Sequence, residues 1–192
     1  MAIKLRDDTK IPRKTMFIGK DGSGKSTNAY KYCMAKGLNP ICIDFDNTNI
    51  GTGCPVMDID LSTHIIAKRN ILQAISDVEK SEYDTLIFDN AGTMIEDVSA
   101  TREVDPFGAA GSDAFKAIMK KLRKTRLNVI FIVQIDFYIE EPDKKTEKNN
   151  KKAVALNAWV NEKYYCYRTG DNPSNYRYHC VADKSREVKK DG

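Results

Sequence analysis

The sequence lacks long apolar runs and paired-cysteine motifs. Its longest apolar stretches, such as residues 128–134, are far shorter than the roughly 20 residues that span a bilayer, and no signal-peptide pattern is present. The cysteines are odd in number and form no CxxC pair, which argues against a zinc site or a disulfide framework; they are Cys33, Cys42, Cys54, Cys166 and Cys180. These absences predict a cytoplasmic protein without a membrane partner, with reduced and mostly buried thiols.

A large charge excess of one sign is also missing. Lys and Arg number 31 against 27 Asp and Glu, so the formal net charge is only +4 in 192 residues, which permits anionic partners without identifying one.

With 41% hydrophobic residues, the chain can bury one core but not two, and we expect a single domain over residues 1–192. Within it we expect an N-terminal extension (1–13), a flexible loop (135–152) and a tail (187–192).

Short apolar runs alternate with segments of helical period, which is typical of an α/β domain with a mostly parallel sheet flanked by helices. The predicted strands are residues 15–18, 40–45, 85–89 and 128–134. The predicted helices are residues 25–36, residues 62–80 and a third helix that begins near Ser112. In the second helix, the residues expected to face inward are Ile65, Leu72, Ile75 and Val78. Two aromatic-rich runs, 164–168 and 176–181, predict a C-terminal β-hairpin.

The strongest motif lies between the first predicted strand and the first predicted helix. It matches G-x-x-x-x-G-K-[ST] and comprises Gly19, Lys20, Asp21, Gly22, Ser23, Gly24, Lys25 and Ser26, with Thr27 following. Glycines let backbone N–H groups turn inward around phosphates, and the start of a helix adds partial positive charge. Lys25 would reach the β and γ oxygens, and the Ser26 hydroxyl would complete a Mg²⁺ shell. The motif therefore predicts a nucleotide site with Mg²⁺.

Polar residues end three other predicted strands. Asp89 follows an apolar strand, as a magnesium ligand beside the phosphate loop requires. The next residue is Asn90, so the glutamate that many P-loop ATPases place there is missing. Asp44 and Asp46 are expected to point the same way, which makes Asp46 a candidate water-orienting base; alternatively, both are solvated loop residues. Gln134 ends the last apolar strand, where its amide could contact the γ-phosphate.

In this order, the motifs resemble the RecA-like ATPase core, especially small phage-encoded RecA-like recombination ATPases that assist single-strand annealing. The resemblance covers residues 14–188 and implies an ATP- and Mg²⁺-dependent ATPase that assembles into a ring or filament. It also implies single-stranded DNA as a partner, and an annealing or single-strand-binding protein as another, in the host cytoplasm if the source is viral. The family has a glutamate where this chain has Asp46.

The resemblance also implies contacts with neighbouring subunits and DNA. In the family, two cations separated by one residue on a late strand reach the γ-phosphate bound by the adjacent subunit, and Lys184 and Arg186 have this spacing. Two loops hold single-stranded DNA in such proteins, and the corresponding segments here are residues 93–112 and 135–152. The aromatic residues that could stack on bases are Phe107, Phe137 and Tyr138.

Two other functions stay open at this point. Residues 20–27 also look like the phosphate loop of thymidylate kinases, which would make the protein a nucleotide monophosphate kinase. Such kinases need arginines that bind the acceptor phosphate, whereas the predicted strand ends offer Asp44, Asp46, Asp89 and Asn90. The other alternative is an ATP-dependent helicase loader or adaptor with little turnover.

Overall fold

The described part of the chain is a six-stranded sheet with helices on both faces. A computed structural model describes residues 11–49, 51–99, 109–135 and 156–184. In chain order the elements are β1 (Lys14–Gly19), α1 (Lys25–Ala35), β2 (Pro40–Asp44), α2 (His64–Val78), β3 (Thr85–Asp89), α3 (Ala91–Asp97), α4 (Ala109–Lys124), β4 (Asn128–Gln134), β5 (Glu162–Thr169) and β6 (Arg177–Lys184). The strand order is β2-β3-β4-β1-β5-β6, in which only β6 is antiparallel to its neighbour. The predicted α/β fold with a closing hairpin is confirmed.

The inner strands are apolar on both faces because both faces of the sheet are covered. On one face, α2, α3 and α4 pack over a row of stacked rings, in which Phe88 lies 6.3 Å from Phe45 and 5.5 Å from Phe131 between ring centroids. On the other face, under α1, Phe17 of β1 stacks on Tyr164 of β5 at 5.0 Å. The strand β1 therefore lies in the middle of both the sheet and the core. None of the helices in the described ranges has the length and hydropathy needed to cross a membrane.

The prediction of which residues of α2 face inward is partly wrong. Ile65 is 68% exposed, whereas Ile75 and Val78 are buried as predicted and Leu72 is half-buried. The rest of the buried stripe consists of Ala67, Ile71 and Ala74. Small alanines contribute little to a hydrophobic pattern, but they let a helix lie close to the layer beneath it, and here they define the contact face.

Of the cysteines, only Cys180 is exposed, so the prediction of mostly buried thiols is confirmed.

A helix that was not predicted follows β3 directly. α3 starts after Asn90, whose side chain accepts a hydrogen bond from the Gly92 N–H at 2.8 Å. α4 is consequently the fourth helix in the described chain, and it begins three residues before Ser112. The predicted loop of residues 93–112 is corrected, because its first residues belong to α3 and its last residues to α4. Residues 100–108 lie outside the described ranges.

The register of the sheet decides which strand ends meet. Gly19 at the end of β1 is level with Gln134 of β4 and with Cys166 of β5. β6 runs the opposite way, so Lys184 at its end pairs with Lys163 near the start of β5. The carboxyl ends of the parallel strands therefore share one edge, and the end of β6 lies at the other.

Candidate functional site

The phosphate loop joins the end of β1 to the start of α1. Backbone conformation or lack of space explains why its glycines cannot easily be other residues. Gly22 and Gly24 have φ values of +64° and +77°, a region that L side chains rarely adopt. At Gly19, a Cβ would collide with the Cys166 carbonyl oxygen and lie 2.6 Å from the Ser23 Oγ. Gly24 is also the N-cap of α1 and provides no side-chain cap. The first N–H groups of the helix therefore have no capping side chain, as an anion-binding helix start requires.

Lys25 is the first residue of α1, and its side chain folds back over the loop. Its Nζ donates a hydrogen bond to the Lys20 carbonyl oxygen at 2.8 Å. Burial lowers the pKa of Lys25, and the nearby carboxylates of Asp21 and Asp89 oppose this shift. A phosphate chain in the loop would add negative charge and so keep the amine protonated. This position fits the predicted role of Lys25 in phosphate binding.

Ser26 and Asp89 join the start of α1 to the end of β3. The Ser26 Oγ donates a hydrogen bond to Asp89 Oδ2 at 2.6 Å. Asp89 is 5% exposed, and burial raises its pKa, an effect that the hydrogen bond from Ser26 opposes. Two adjacent hard oxygen ligands suit Mg²⁺, which usually takes one or two protein ligands and completes its shell with phosphate and water. The pair therefore fits the predicted metal role, and the described ranges hold no larger His, Cys, Asp or Glu cluster that could bind a metal alone.

A cavity of about 240 Å³ opens beside the loop. Its lining is polar and consists of Asp21, Gly22, Gly24, Lys25, Ser26, Thr27, Asp46, Thr48, Thr52, Asp89, Asn90 and Gln134. These residues come from the phosphate loop, from the segment after β2 and from the ends of β3 and β4, where ligands of parallel sheets bind. Gly19, Lys20 and Ser23 shape the loop but do not line this cavity. No arginine lies among the lining residues in the part of the chain that the structure describes.

Asp46 lines the cavity, whereas Asp44 does not. β2 ends at Asp44, so the alternation of a strand does not extend to Asp46, and the expectation that both point the same way is corrected. The Asp44 carboxylate accepts hydrogen bonds from the N–H groups of Asp46 at 3.2 Å and Asn49 at 2.7 Å. Thr93 of α3 donates its hydroxyl hydrogen to Asp46 Oδ1 at 2.6 Å. Asp44 therefore holds the segment after β2, and Thr93 orients the carboxylate that faces the cavity.

The predicted basic pair is not part of this cavity. Lys184 is the last residue of β6 and pairs with Lys163, which is level with Met16 of β1. It therefore lies towards the opposite end of the sheet from the phosphate loop of its own chain. Its contact with a neighbouring subunit stays a prediction. Arg186 lies outside the described residues, as do the aromatic residues predicted to stack on DNA: Phe107, Phe137 and Tyr138.

Several residues at the site were not predicted from the sequence. Thr48 and Thr52 line the cavity, and Thr93 holds Asp46 in place. Arg168 and Tyr178 of the β5–β6 hairpin lie against the loop glycines. No motif marks these five residues. The register of the hairpin, the path of the segment after β2 and the start of α3 directly after β3 bring them to the site.

The loop, its lysine and the Ser26–Asp89 pair define a nucleotide-binding P-loop ATPase site on a RecA-like α/β fold. Residues 11–169 match the model of a family described as an AAA domain, and the chain belongs to this family. Among solved structures, the crystal structure of the RadB recombinase resembles it with a TM-score of 0.58 and 13% identity, over 92% of this chain and 83% of that one. This likeness concerns the fold. A search of curated proteins gave no significant match.

Proposed function

We propose that this protein hydrolyses ATP and assembles on single-stranded DNA in phage-type recombination or replication. The observation that carries the proposal is the 2.6 Å hydrogen bond between Ser26 and Asp89 beside Lys25, on a loop without a side-chain cap. Mg²⁺, when bound there with ATP, would neutralise charge on the β and γ oxygens. The recombination setting is supported by the fold shared with the RadB recombinase and by the order of the motifs.

In this proposal the polar residues that line the cavity have separate tasks. Lys25 binds the phosphate chain, and Asp46 orients the attacking water and accepts its proton. The hydroxyl of Thr93 donates a hydrogen bond to one carboxylate oxygen of Asp46 at 2.6 Å, which limits the rotation of that carboxylate. Gln134 lines the same cavity, and in this proposal its amide contacts the γ-phosphate.

The cavity favours hydrolysis over transfer to a nucleoside monophosphate. Its lining includes three carboxylates, from Asp21, Asp46 and Asp89, and its only cationic member in the described chain is Lys25. An acceptor phosphate would meet repulsion there rather than the arginines that such kinases use. A helicase loader or adaptor differs from the proposed ATPase in turnover and not in this geometry, so it has to be separated by kinetics.

One assay separates the three functions. Phosphate release from ATP is measured alone, with single-stranded DNA and with nucleoside monophosphates as acceptors. We expect release to rise with DNA; phosphate transfer to a monophosphate would identify a kinase, and tight binding without turnover would identify an adaptor. Lys25→Ala should abolish ATP binding, because it removes the amine that folds over the loop. Lys20→Ala, which removes the same charge within the loop but not from the cavity lining, is the matched control.

A mixing experiment tests the proposed contact between subunits. Lys25→Ala inactivates the phosphate loop, and Arg186→Ala removes the cation offered to the neighbour. Each variant alone should lose at least about 1,000-fold in turnover, Lys25→Ala because it no longer binds ATP and Arg186→Ala because the transferring phosphoryl group loses the stabilising cation. Mixed oligomers contain interfaces with one intact loop and one intact Arg186, so mixing should restore activity. If the mixture shows no more ATPase activity than the sum of the two variants, the site is not shared between subunits. The assignment of the phosphate loop would be unchanged.

A further inference from the structure

The β5–β6 hairpin presents two different faces. Its register places Arg168 opposite Tyr178 and Cys166 opposite Cys180, and these two pairs share one face because alternate residues point the same way. Tyr167 and His179 form a pair on the opposite face, where their rings stack at 4.7 Å. Arg168 and Tyr178 border the phosphate loop.

Both residues lie directly beside the loop glycines. The Tyr178 Cδ1 is 3.0 Å from the position that a Cβ would take on Gly24, and an Arg168 guanidinium nitrogen is 3.2 Å from the corresponding position on Gly22. The Arg168 guanidinium carbon lies over the Tyr176 ring, 3.8 Å from its centroid. Tyr178 is nevertheless 54% exposed. The hairpin thus presents an accessible aromatic ring next to the start of α1.

The order of the strands determines which end of a nucleotide this ring would meet. Asp89, Asp46 and Gln134, which we assign to the metal and the terminal phosphate, lie on the β3–β4 side of β1. The hairpin lies on the other side of β1. In a phosphate loop, the lysine reaches the β and γ phosphates, while the backbone N–H groups cradle the α and β phosphates. The nucleoside then leaves the loop on the side away from Asp46 and Asp89.

We propose that Tyr178, bordered by the Arg168–Tyr176 stack, is the subsite for the base of the bound nucleoside triphosphate. The exposed ring provides a surface on which the base packs, and the stacked guanidinium closes the subsite above Gly22. This inference rests on the proposed nucleotide binding and adds where the base lies. It also gives the hairpin a role in binding the chain's own nucleotide, in addition to any contact between subunits.

The test compares ATP with inorganic tripolyphosphate, which has the phosphates but no base. Calorimetric titrations with Mg²⁺ are run on the full chain and on Tyr178→Ala, Tyr178→Phe and Tyr167→Ala. Tyr178→Ala should weaken ATP binding about tenfold, as the loss of base–aromatic stacking typically does, and leave tripolyphosphate binding unchanged. Tyr178→Phe should retain both affinities. Tyr167→Ala, which removes a ring from the opposite face, should also retain both.

Two results would overturn the subsite. The first is unchanged ATP affinity in Tyr178→Ala, and the second is an equal loss for ATP and tripolyphosphate, which would indicate a distorted loop. If the unsubstituted protein binds neither ligand, the proposed function itself fails and the subsite falls with it. The Lys25→Ala variant separates these cases, because it should weaken both ligands when the loop is the binding site.

Discussion

Replacing Gly19 with alanine should destabilise the fold for a steric reason alone. The φ of Gly19 is outside the left-handed region, but an added Cβ would overlap the Cys166 carbonyl oxygen and lie 2.6 Å from Ser23 Oγ, where ordinary contacts begin at 3.4 Å. The carbonyl belongs to β5, which pairs with β1 in register and cannot easily retreat. Overpacking typically costs about 1–3 kcal/mol, and contact with backbone places this case near about 3 kcal/mol of unfolding free energy.

A double-mutant cycle shows whether the contacts are the cause. Within the described chain, Ser23 Oγ is a buried hydroxyl without a hydrogen-bond partner, so Ser23→Ala alone should be neutral or slightly stabilising. Added to Gly19→Ala, it should recover about 1 kcal/mol, because one of the two overlaps disappears. Gly37→Ala is the control, since Gly37 has a φ of +66° and no atom within 4 Å of an added Cβ. It should cost only the backbone strain, roughly 1–2 kcal/mol.

Urea unfolding followed by circular dichroism measures all four variants. The expected order of loss is Gly19→Ala, then the double variant, then Gly37→Ala, with Ser23→Ala at or above the unsubstituted protein. Strictly additive effects of Gly19→Ala and Ser23→Ala would refute the steric explanation. So would a Gly19→Ala loss no larger than that of Gly37→Ala.

The remaining predictions concern pH and two titrating groups. Burial raises the pKa of Asp89, and a protonated carboxyl cannot ligate Mg²⁺, so Mg·ATP affinity should fall as the pH drops through that raised value. Asp89→Asn should lose at least about tenfold in Mg·ATP affinity and flatten this pH dependence in calorimetric titrations. Burial lowers the pKa of Lys14 to about 8 from 10.5, so between these values the unfolded chain binds the proton more tightly and stability rises with pH. Urea unfolding should show this gain, at most about 3 kcal/mol, disappear in Lys14→Met; an unchanged slope would contradict it.

The parts of the fold that could be predicted are those whose signal is local. Parallel strands buried on both faces produce continuous apolar runs, and β3 and β4 were predicted with the boundaries that they have. α3 was missed because its 7 residues are too few for a helical period and include a glycine. Ile65 was placed in the core because it is large, although the alanines of α2 define the face that packs.

In the candidate site, too, the residues that could be predicted are those with a local signal in the sequence. The sequence places Asp89 and Gln134 at strand ends, and the topology of a parallel sheet then brings them to the loop without further information. Thr93 and Tyr178 reach the site through a helix that was not predicted and through a hairpin register, neither of which leaves a sequence motif. The common orientation predicted for Asp44 and Asp46 was wrong because β2 stops at Asp44, one residue before the predicted end of the strand.

The central position of β1 has a consequence for local unfolding. This strand is hydrogen-bonded along both edges, to β4 and to β5, and Met16, Phe17 and Ile18 are at most 1% exposed. Strands of this kind exchange their amide hydrogens slowest, because they open only when the whole domain does. We therefore expect Gly19 to stay in place during local openings, and motions of the phosphate loop to begin on its α1 side. A nucleotide site attached to such a strand keeps one end in place while the outer elements open and close.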